Sequence, residues 1–180
     1  MSHRNLARRG FLGMAAAQVA ISQSHGGAAA TKMKLAVGAD HAGFPMKGPM
    51  TQTLQSWGFE IKDCGTFSTD PVDFPDIAQH VCDEILAGRA QRGVLFCGTG
   101  VGAAIAANKV RNIRAALCLD TFCAHQCVEH DNVNVLCLGA WVVGPKVAEE
   151  ILTAFLNAKF QSADADYQRR LRKIAEMEKR

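Results

Sequence analysis

Short apolar segments alternate with segments of helical periodicity along most of this chain, and this alternation constrains the fold more than any other feature. The apolar segments, at 35–39, 59–63, 93–96, 114–119 and 134–138, are continuous runs, which predicts strands buried on both faces. The segments that follow them predict helices at 44–57, from Asp76 to Gly88, and at 101–109, 121–130, 145–157 and 163–179. Together they predict an α/β fold: a doubly wound, five-stranded parallel sheet in a three-layer α/β/α arrangement of the Rossmann-like (flavodoxin-like) type.

The distribution of charge argues against nucleic acid and membranes as partners. Of the 20 basic side chains, four lie in residues 1–32, which hold no acidic residue, so 16 basic and 17 acidic side chains remain in residues 33–180. A body with that balance has no basic face for nucleic acid or an anionic membrane. With 48% hydrophobic residues, 33–180 can form a single domain with its own core. We therefore expect a small molecule as the partner.

Residues 1–32 are typical of an export leader rather than of a folded element. Arg8-Arg9-Gly10-Phe11-Leu12 precedes a weakly apolar run at 13–21, and three alanines follow at 28–30. Paired arginines before a modestly apolar segment predict a twin-arginine-type signal and a periplasmic protein. The alternative is a cytoplasmic protein that starts at Met33, immediately before the first predicted strand.

The cysteines bear on the same choice. Their number is odd, seven, and none of their spacings is that of a metal site; Cys123 and Cys127, four residues apart, have no matching histidine pair. We interpret most of them as small core residues. Many free thiols suit a reducing cytosol better than a periplasm, so the two compartments stay open.

The loop after the third predicted strand carries the strongest chemical signal. Cys97-Gly98-Thr99-Gly100-Val101-Gly102 leaves a buried strand and begins a helix, so its backbone N–H groups can approach an anion. The Walker lysine is missing and the glycine spacing is not that of a dinucleotide site. The partial positive charge of these N–H groups and of the helix start is expected to lower the pKa of Cys97 and favour its thiolate. From this segment alone, a buried structural thiol is as good an interpretation.

Further polar residues favour the reactive interpretation. Asp40 and His41 end the first predicted strand, and in a parallel sheet they would share a crevice with Cys97. His130 and Asp131 lie at the end of a predicted helix, where His130 alternatively serves only as a C-terminal helix cation. A thiolate base, imidazole acids and amide donors suit proton transfer next to a carbonyl.

At this level of detail the chain resembles the type B ribose-5-phosphate isomerases, a family that includes the galactose-6-phosphate isomerase subunits. The resemblance spans 33–180 and is carried by the segments 37–43, 63–66, 97–102, 106–109 and 134–136, together with His130. It implies a homodimer, which could pair into a tetramer, with active sites at the subunit interface and with no metal or other cofactor. It also implies Cys97 as the base that moves a proton between C1 and C2, and His130 as the acid that opens the sugar ring.

The resemblance assigns substrate contacts as well. It implies that Asp40, His41, Thr99, Asp131 and Arg170 bind the substrate. The loop Gly98–Gly102 matches the one that holds the enediolate, with Gly98, Gly100, Val101 and Gly102 beside Thr99.

The departures from the family pattern concentrate on the phosphate. Asp131 replaces an asparagine, Phe74 a tyrosine, and Trp141 and Asp166 two arginines, which leaves Arg170 as the remaining arginine of its pair. Neither tryptophan nor aspartate can replace the bidentate bonds of arginine to phosphate.

Two explanations stay open. The substrate is unphosphorylated or otherwise substituted, with Trp141 stacking on a sugar face. Alternatively, Arg169, Arg172, Lys173 or a partner subunit supplies the charge.

From these residues we expect an aldose–ketose isomerase that works through a cis-enediolate, with ribose 5-phosphate and ribulose 5-phosphate as the family default. The alternatives are an isomerase of an unphosphorylated or otherwise substituted sugar, and an inactive sugar-binding domain.

Overall fold

The computed structural model describes residues 32–179. The leader predicted for residues 1–32 therefore lies, apart from Lys32, outside the described residues. Within the described part, no helix is both long and apolar enough to cross a membrane.

The described chain forms a five-stranded parallel sheet, which confirms the predicted fold class. The strands are β1 (Lys34–Ala39), β2 (Glu60–Asp63), β3 (Arg92–Cys97), β4 (Ala115–Leu117) and β5 (Val135–Gly139), in the order β2-β1-β3-β5-β4. All four neighbouring pairs are parallel. From β1 the chain moves outward to β2 and then crosses to β3, so the connections diverge between β1 and β3. This switch point is where doubly wound sheets bind their ligands.

The described residues also form six helices: α1 (Phe44–Ser56), α2 (Phe74–Leu86), α3 (Val101–Ala107), α4 (Thr121–Asp131), α5 (Pro145–Asn157) and α6 (Ala165–Met177). Helix α2 begins two residues before the predicted Asp76, because Asp73 is extended and Pro75 fits the first turn. Helix α6 begins after Asp164, whose carboxylate accepts the first free N–H groups, rather than at residue 163. Strand β4 is three residues long instead of the predicted six.

Two apolar clusters, one on each side of the sheet, form the core. Leu35 and Val37 face one side, where α1, α4 and α5 contribute residues such as Leu54, Val128 and Phe155. Ala36 faces the other side, where α2 and α3 pack. Because successive side chains of a strand point to opposite faces, the continuous apolar runs supply both clusters at once.

Candidate active site

The carboxyl ends of β1 and β3 bring Asp40 and Cys97 together at the switch point. The two strands are direct neighbours, with Ala39 opposite Phe96. The N–H of Asp40 donates to the carbonyl of Phe96 at 3.2 Å, which holds Asp40 beside the last residues of β3. The two segments that were predicted to share a crevice are therefore adjacent at the carboxyl ends of their strands.

The Asp40 carboxylate holds the turn between β1 and α1. It is 5% exposed, and its Oδ1 accepts the N–H groups of Ala42 at 2.9 Å and Gly43 at 2.8 Å. A Cβ at Gly43 would lie 2.2 Å from the carbonyl carbon and oxygen of Phe96 and 2.5 Å from the nitrogen of Cys97. Only glycine therefore allows α1 to begin this close to Cys97.

His41 follows in the same turn and is half-buried. Its Nδ1 accepts the N–H of Val72 at 3.3 Å, across the loop that precedes α2. A neutral imidazole with an accepting Nδ1 carries its proton on Nε2, so His41 offers a hydrogen-bond donor from that atom.

The loop between β3 and α3 lies beside these residues and is shaped by close backbone approaches. Gly100 has φ +81°, a left-handed conformation that favours glycine, and a Cβ there would meet the side chain of Leu117 at 2.6 Å. Thr99 is exposed, and its Oγ1 accepts the N–H of Val101 at 3.3 Å. The loop thus turns sharply into the first turn of α3, as its glycines predicted.

Two aromatic rings pack against the outer glycines of this loop. A Cβ at Gly98 would lie 2.7 to 3.0 Å from the six-membered ring of Trp141, and one at Gly102 would lie 3.0 Å from the ring of Phe74. The N–H of Trp141 donates to the carbonyl of Gly98 at 3.0 Å. The Trp141 side chain is nevertheless 75% exposed, so most of its surface stays open to a ligand or a second chain.

The expected ionisation of Cys97 is corrected by its surroundings. Burial raises the pKa of the Cys97 thiol, and the neighbouring Asp40 carboxylate raises it further. The backbone N–H groups of Gly100 and Gly98 lower that pKa, as the helix start predicted, but these contributions are the smaller ones. The prediction of a lowered pKa is therefore wrong, because it omitted desolvation and a buried carboxylate on the adjacent strand.

His130, Asp131 and Arg170 lie near the amino ends of the strands, opposite to the end that holds Cys97. Helix α4 starts after the carboxyl end of β4 and runs back over 11 residues, about 16 Å, before the chain enters the amino end of β5. Cys97 is level with the carboxyl end of β5, opposite Gly139. Within one chain, His130 and Cys97 are thus separated by the length of the sheet.

His130 has a neighbour that the sequence did not reveal. The ring of Tyr167 in α6 stacks on His130 with centroids 4.2 Å apart, and its hydroxyl lies 3.0 Å from Nε2 of His130. The guanidinium of Arg170 lies 5.7 Å from the centre of the Tyr167 ring. Asp166 forms an ion pair with Arg169 and is therefore not an isolated negative charge.

Lys47 is a second residue that sequence reasoning missed. Its ammonium group is buried and bonds both carboxylate oxygens of Asp63, at 2.6 and 2.9 Å, and the carbonyl of Thr66 at 2.7 Å. The loop after β2, which contains Thr66, also pairs with the end of β1. The N–H of Ala39 donates to the carbonyl of Gly65 at 2.7 Å. The one available signal was a lysine between Met46 and Met50 on the buried face of α1.

Over residues 32–179, no three or more histidine, cysteine, aspartate or glutamate side chains are grouped to hold a metal ion. The groups described at the switch point are a thiol, a carboxylate, an imidazole donor and backbone amides.

The sequence matches one family of known proteins. The ribose/galactose isomerase family matches residues 35–174. Among curated proteins, the chain is 42% identical to the D-erythrulose-4-phosphate isomerase of Pectobacterium atrosepticum, over 72% of this chain and 86% of that one. It is 38% identical to the ribose-5-phosphate isomerase B of Escherichia coli, over 82% of this chain and 97% of that one.

Solved structures with a similar fold include two ribose-5-phosphate isomerases B. The ribose-5-phosphate isomerase B of Clostridium thermocellum superposes with a TM-score of 0.79 at 40% identity, covering 82% of this chain and 98% of that one. That of Mycoplasma genitalium with bound ribulose-5-phosphate gives a TM-score of 0.76 at 35% identity, covering 82% and 97%.

Proposed function

The chain belongs to the ribose/galactose isomerase family and is an aldose–ketose isomerase, and we propose that Cys97 moves the proton of its reaction through a cis-enediolate. The observation that carries the proposal is the close approach of Asp40, Cys97 and the Gly98–Gly102 loop at the switch point. The Cys97 thiolate takes the proton from C2 of the aldose and returns it to C1. The hydroxyl on O2 gives up its proton and O1 takes one up, so that the C2 carbonyl and the C1 hydroxyl of the ketose form. Backbone N–H groups of the loop stabilise the enediolate oxygen that forms in between.

The raised pKa of Cys97 has two opposing effects on such a base. It makes the thiolate scarce near neutral pH, but it also makes that thiolate a stronger base toward a carbon-bound proton. The N–H groups of Gly100 and Gly98 still favour the charged form. His41 donates from Nε2 to a substrate oxygen, while Asp40 and Thr99 orient hydroxyl groups.

Opening of a cyclic sugar is assigned to His130 of a second copy. Within one chain His130 lies too far from Cys97 to act on the same substrate. A homodimer that supplies His130, Asp131 and Arg170 across its interface completes the site. Exposed apolar side chains near the loop support this arrangement: Val101 and Ile105 share a face of α3, and the ring of Trp141 packs against Gly98.

Subunit complementation tests this arrangement directly. Cys97→Ala and His130→Ala homodimers each lack one group at both sites, so both are expected to be nearly inactive on ribose 5-phosphate. After mixing and exchange, half of the molecules are mixed dimers with one intact site, which restores about one quarter of the normal activity. If no activity returns although mixed dimers form, both groups act within one chain.

For the substrate, we take ribose 5-phosphate and ribulose 5-phosphate as the primary candidates. A four-carbon sugar phosphate is the second, supported by the 42% identity to a D-erythrulose-4-phosphate isomerase. An unphosphorylated or otherwise substituted sugar remains the alternative that Trp141 favours, since its exposed ring can stack on a sugar face but cannot grip phosphate. Because Asp166 is paired with Arg169, it repels a phosphate less than the sequence suggested.

A panel of ribose 5-phosphate, erythrose 4-phosphate, free ribose and free erythrose separates these candidates by kcat/KM. A preference for either phosphate ester that persists in 0.5 M salt supports phosphate recognition. Equal rates on esters and free sugars contradict it.

Two compartments are proposed for the protein, the periplasm and the cytoplasm. Export through residues 1–32 is supported by the paired arginines, and a start at Met33 by the seven free thiols of the chain. Mass spectrometry of the N-terminus of the natural protein, in separated periplasmic and cytoplasmic fractions, distinguishes them.

A further inference from the structure

We propose that Tyr167 is a positioning residue that orients His130 for opening the cyclic form of the substrate. The proposal rests on the role of His130 given above. Its basis is the double contact between the two side chains: a parallel stack at 4.2 Å with 21° between the rings, and a hydroxyl 3.0 Å from Nε2. A stack alone leaves an imidazole free to slide or turn, whereas a stack with a bond at one ring atom fixes its orientation.

The start of α6 is built to hold Tyr167 in place. The Asp164 carboxylate accepts the N–H groups of Asp166 at 2.8 Å and of Tyr167 at 3.1 Å, which fixes the first turn. The N–H of Gln161 donates to the carbonyl of Glu129 at 2.9 Å, one residue before His130. The segment that leads into α6 is thus tied to the end of α4, next to the histidine that Tyr167 contacts.

The hydroxyl group suits a histidine that exchanges protons. A tyrosine hydroxyl oxygen can accept the Nε2 proton both when His130 is neutral with a bare Nδ1 and when both ring nitrogens are protonated. In ring opening, the bond between C1 and the ring oxygen breaks and the C1 carbonyl forms. The proton of the anomeric hydroxyl is taken up, and a proton is delivered to the former ring oxygen. Because Tyr167 occupies Nε2, His130 takes up and delivers the sugar proton at Nδ1, and the bond to Tyr167 keeps the ring oriented while the charge of the imidazole changes.

Tyr167 and His130 are both half-buried, so the pair stays accessible from the surface on which a second chain would present its substrate. Arg170 lies on the same helix, 5.7 Å from the Tyr167 ring, and contributes positive charge beside the pair. Tyr167 itself needs no contact with the reacting carbons to exert its effect.

The test separates ring opening from isomerisation. Full-length Cys97→Ala enzyme lacks the proposed base, but it should still open and close the ring of ribose 5-phosphate. This exchange of α and β anomers is measured by NMR magnetisation transfer on the ¹³C-labelled anomeric carbon. In that background, Tyr167→Phe keeps the stack and loses the bond, and we expect the enzyme-dependent exchange to fall about tenfold. His130→Ala should abolish it, and Glu176→Gln, an exposed change on the same helix, should leave it unchanged.

A second measurement uses the otherwise unaltered enzyme. Erythrose 4-phosphate cannot close a five-membered ring because its O4 is esterified, so its turnover does not require ring opening. Tyr167→Phe should therefore lower kcat/KM for ribose 5-phosphate and leave any turnover of erythrose 4-phosphate within about twofold. In ¹⁵N spectra, the Nε2 resonance of His130 should shift in Tyr167→Phe.

The outcomes distinguish the role of Tyr167 from that of His130. Anomer exchange that is the same in Tyr167→Phe as in its parent overturns the role of Tyr167 and leaves that of His130 intact. Exchange that is unaffected by His130→Ala overturns both. Isomerisation that persists in Cys97→Ala contradicts the proposed base instead, and the exchange measurements still decide the role of Tyr167.

Discussion

The closest backbone approach at the site, between the start of α1 and the end of β3, can be tested with one methyl group. In Gly43→Ala, the new Cβ would lie 2.2 Å from the carbonyl carbon and oxygen of Phe96 and 2.5 Å from the nitrogen of Cys97. These atoms are backbone and cannot turn aside. Gly48→Ala is the matched control in the same helix, because a Cβ there meets nothing within 4 Å.

The magnitude follows from that overlap. Ordinary carbon contacts begin near 3.5 Å, so α1 and β3 must separate by roughly 1 Å, at a cost of about 2 to 4 kcal/mol in unfolding free energy. Gly48→Ala should instead gain about 0.5 to 1 kcal/mol, because alanine favours the helix. A 1 Å separation also displaces Cys97 from the Asp40 turn, and misplacement of this size costs about a hundredfold in rate.

Urea denaturation followed by circular dichroism measures the first effect, and kcat/KM on ribose 5-phosphate, at a temperature where all variants are folded, measures the second. We expect Gly43→Ala to lose both stability and activity, and Gly48→Ala to lose neither. A Gly43→Ala enzyme as stable and as active as the Gly48→Ala control would refute it.

Three further predictions concern buried polar and thiol groups. Lys47→Met should lower the unfolding free energy by roughly 2 to 3 kcal/mol, because it strands a carboxylate and a carbonyl, although its carboxylate partner is 38% exposed and can be partly solvated. Lys34→Met, at an exposed ion pair on the neighbouring strand, should cost less than about 0.5 kcal/mol in the same urea titration, and equal losses would contradict this. Asp40→Asn should lower the pKa of Cys97, because it removes a carboxylate that raises this pKa. Peptide-resolved iodoacetamide labelling at pH 8 should then be faster at Cys97. Slower labelling would show that the Asp40 carboxylate does not raise the pKa. Burial raises the pKa of Cys82 from 9.0 to about 12, so between these values the unfolded chain loses a proton that the folded chain keeps. Stability should therefore fall as pH rises above 9, by up to about 1.4 kcal/mol per pH unit from this thiol, and Cys82→Ala should flatten the decline in urea titrations at pH 8 to 11.

Local patterns in the sequence predicted much of the fold and the adjacency of Asp40 and Cys97. Continuous apolar strands imply a sheet covered on both faces, and the rule that ligands lie at the carboxyl ends of strands placed Asp40 near Cys97. Glycine at positions 98 and 100 predicted a tight turn, and Gly100 does adopt a left-handed conformation there. Each of these inferences depends on neighbours within a few residues.

What the sequence did not predict depends on contacts between distant segments. The raised pKa of Cys97 arises first from burial of the thiol and second from the Asp40 carboxylate, which reaches the thiol because β1 lies directly beside β3. Tyr167 is 37 residues from His130 and meets it only because α6 packs on the end of α4. Lys47 and Asp63 likewise lie on separate elements. No periodicity or motif in a single sequence carries such pairings.

Deuterium exchange at carbon decides whether the Cys97 thiolate is the base. The enzyme is incubated with its sugar phosphate in deuterium oxide, and deuterium at C2 of the aldose is followed by NMR together with interconversion. We predict that Cys97→Ala loses both by at least a hundredfold, whereas Cys82→Ala, which alters a buried thiol in α2, keeps both. Deuterium incorporation by Cys97→Ala at the rate of the unaltered enzyme would contradict the account.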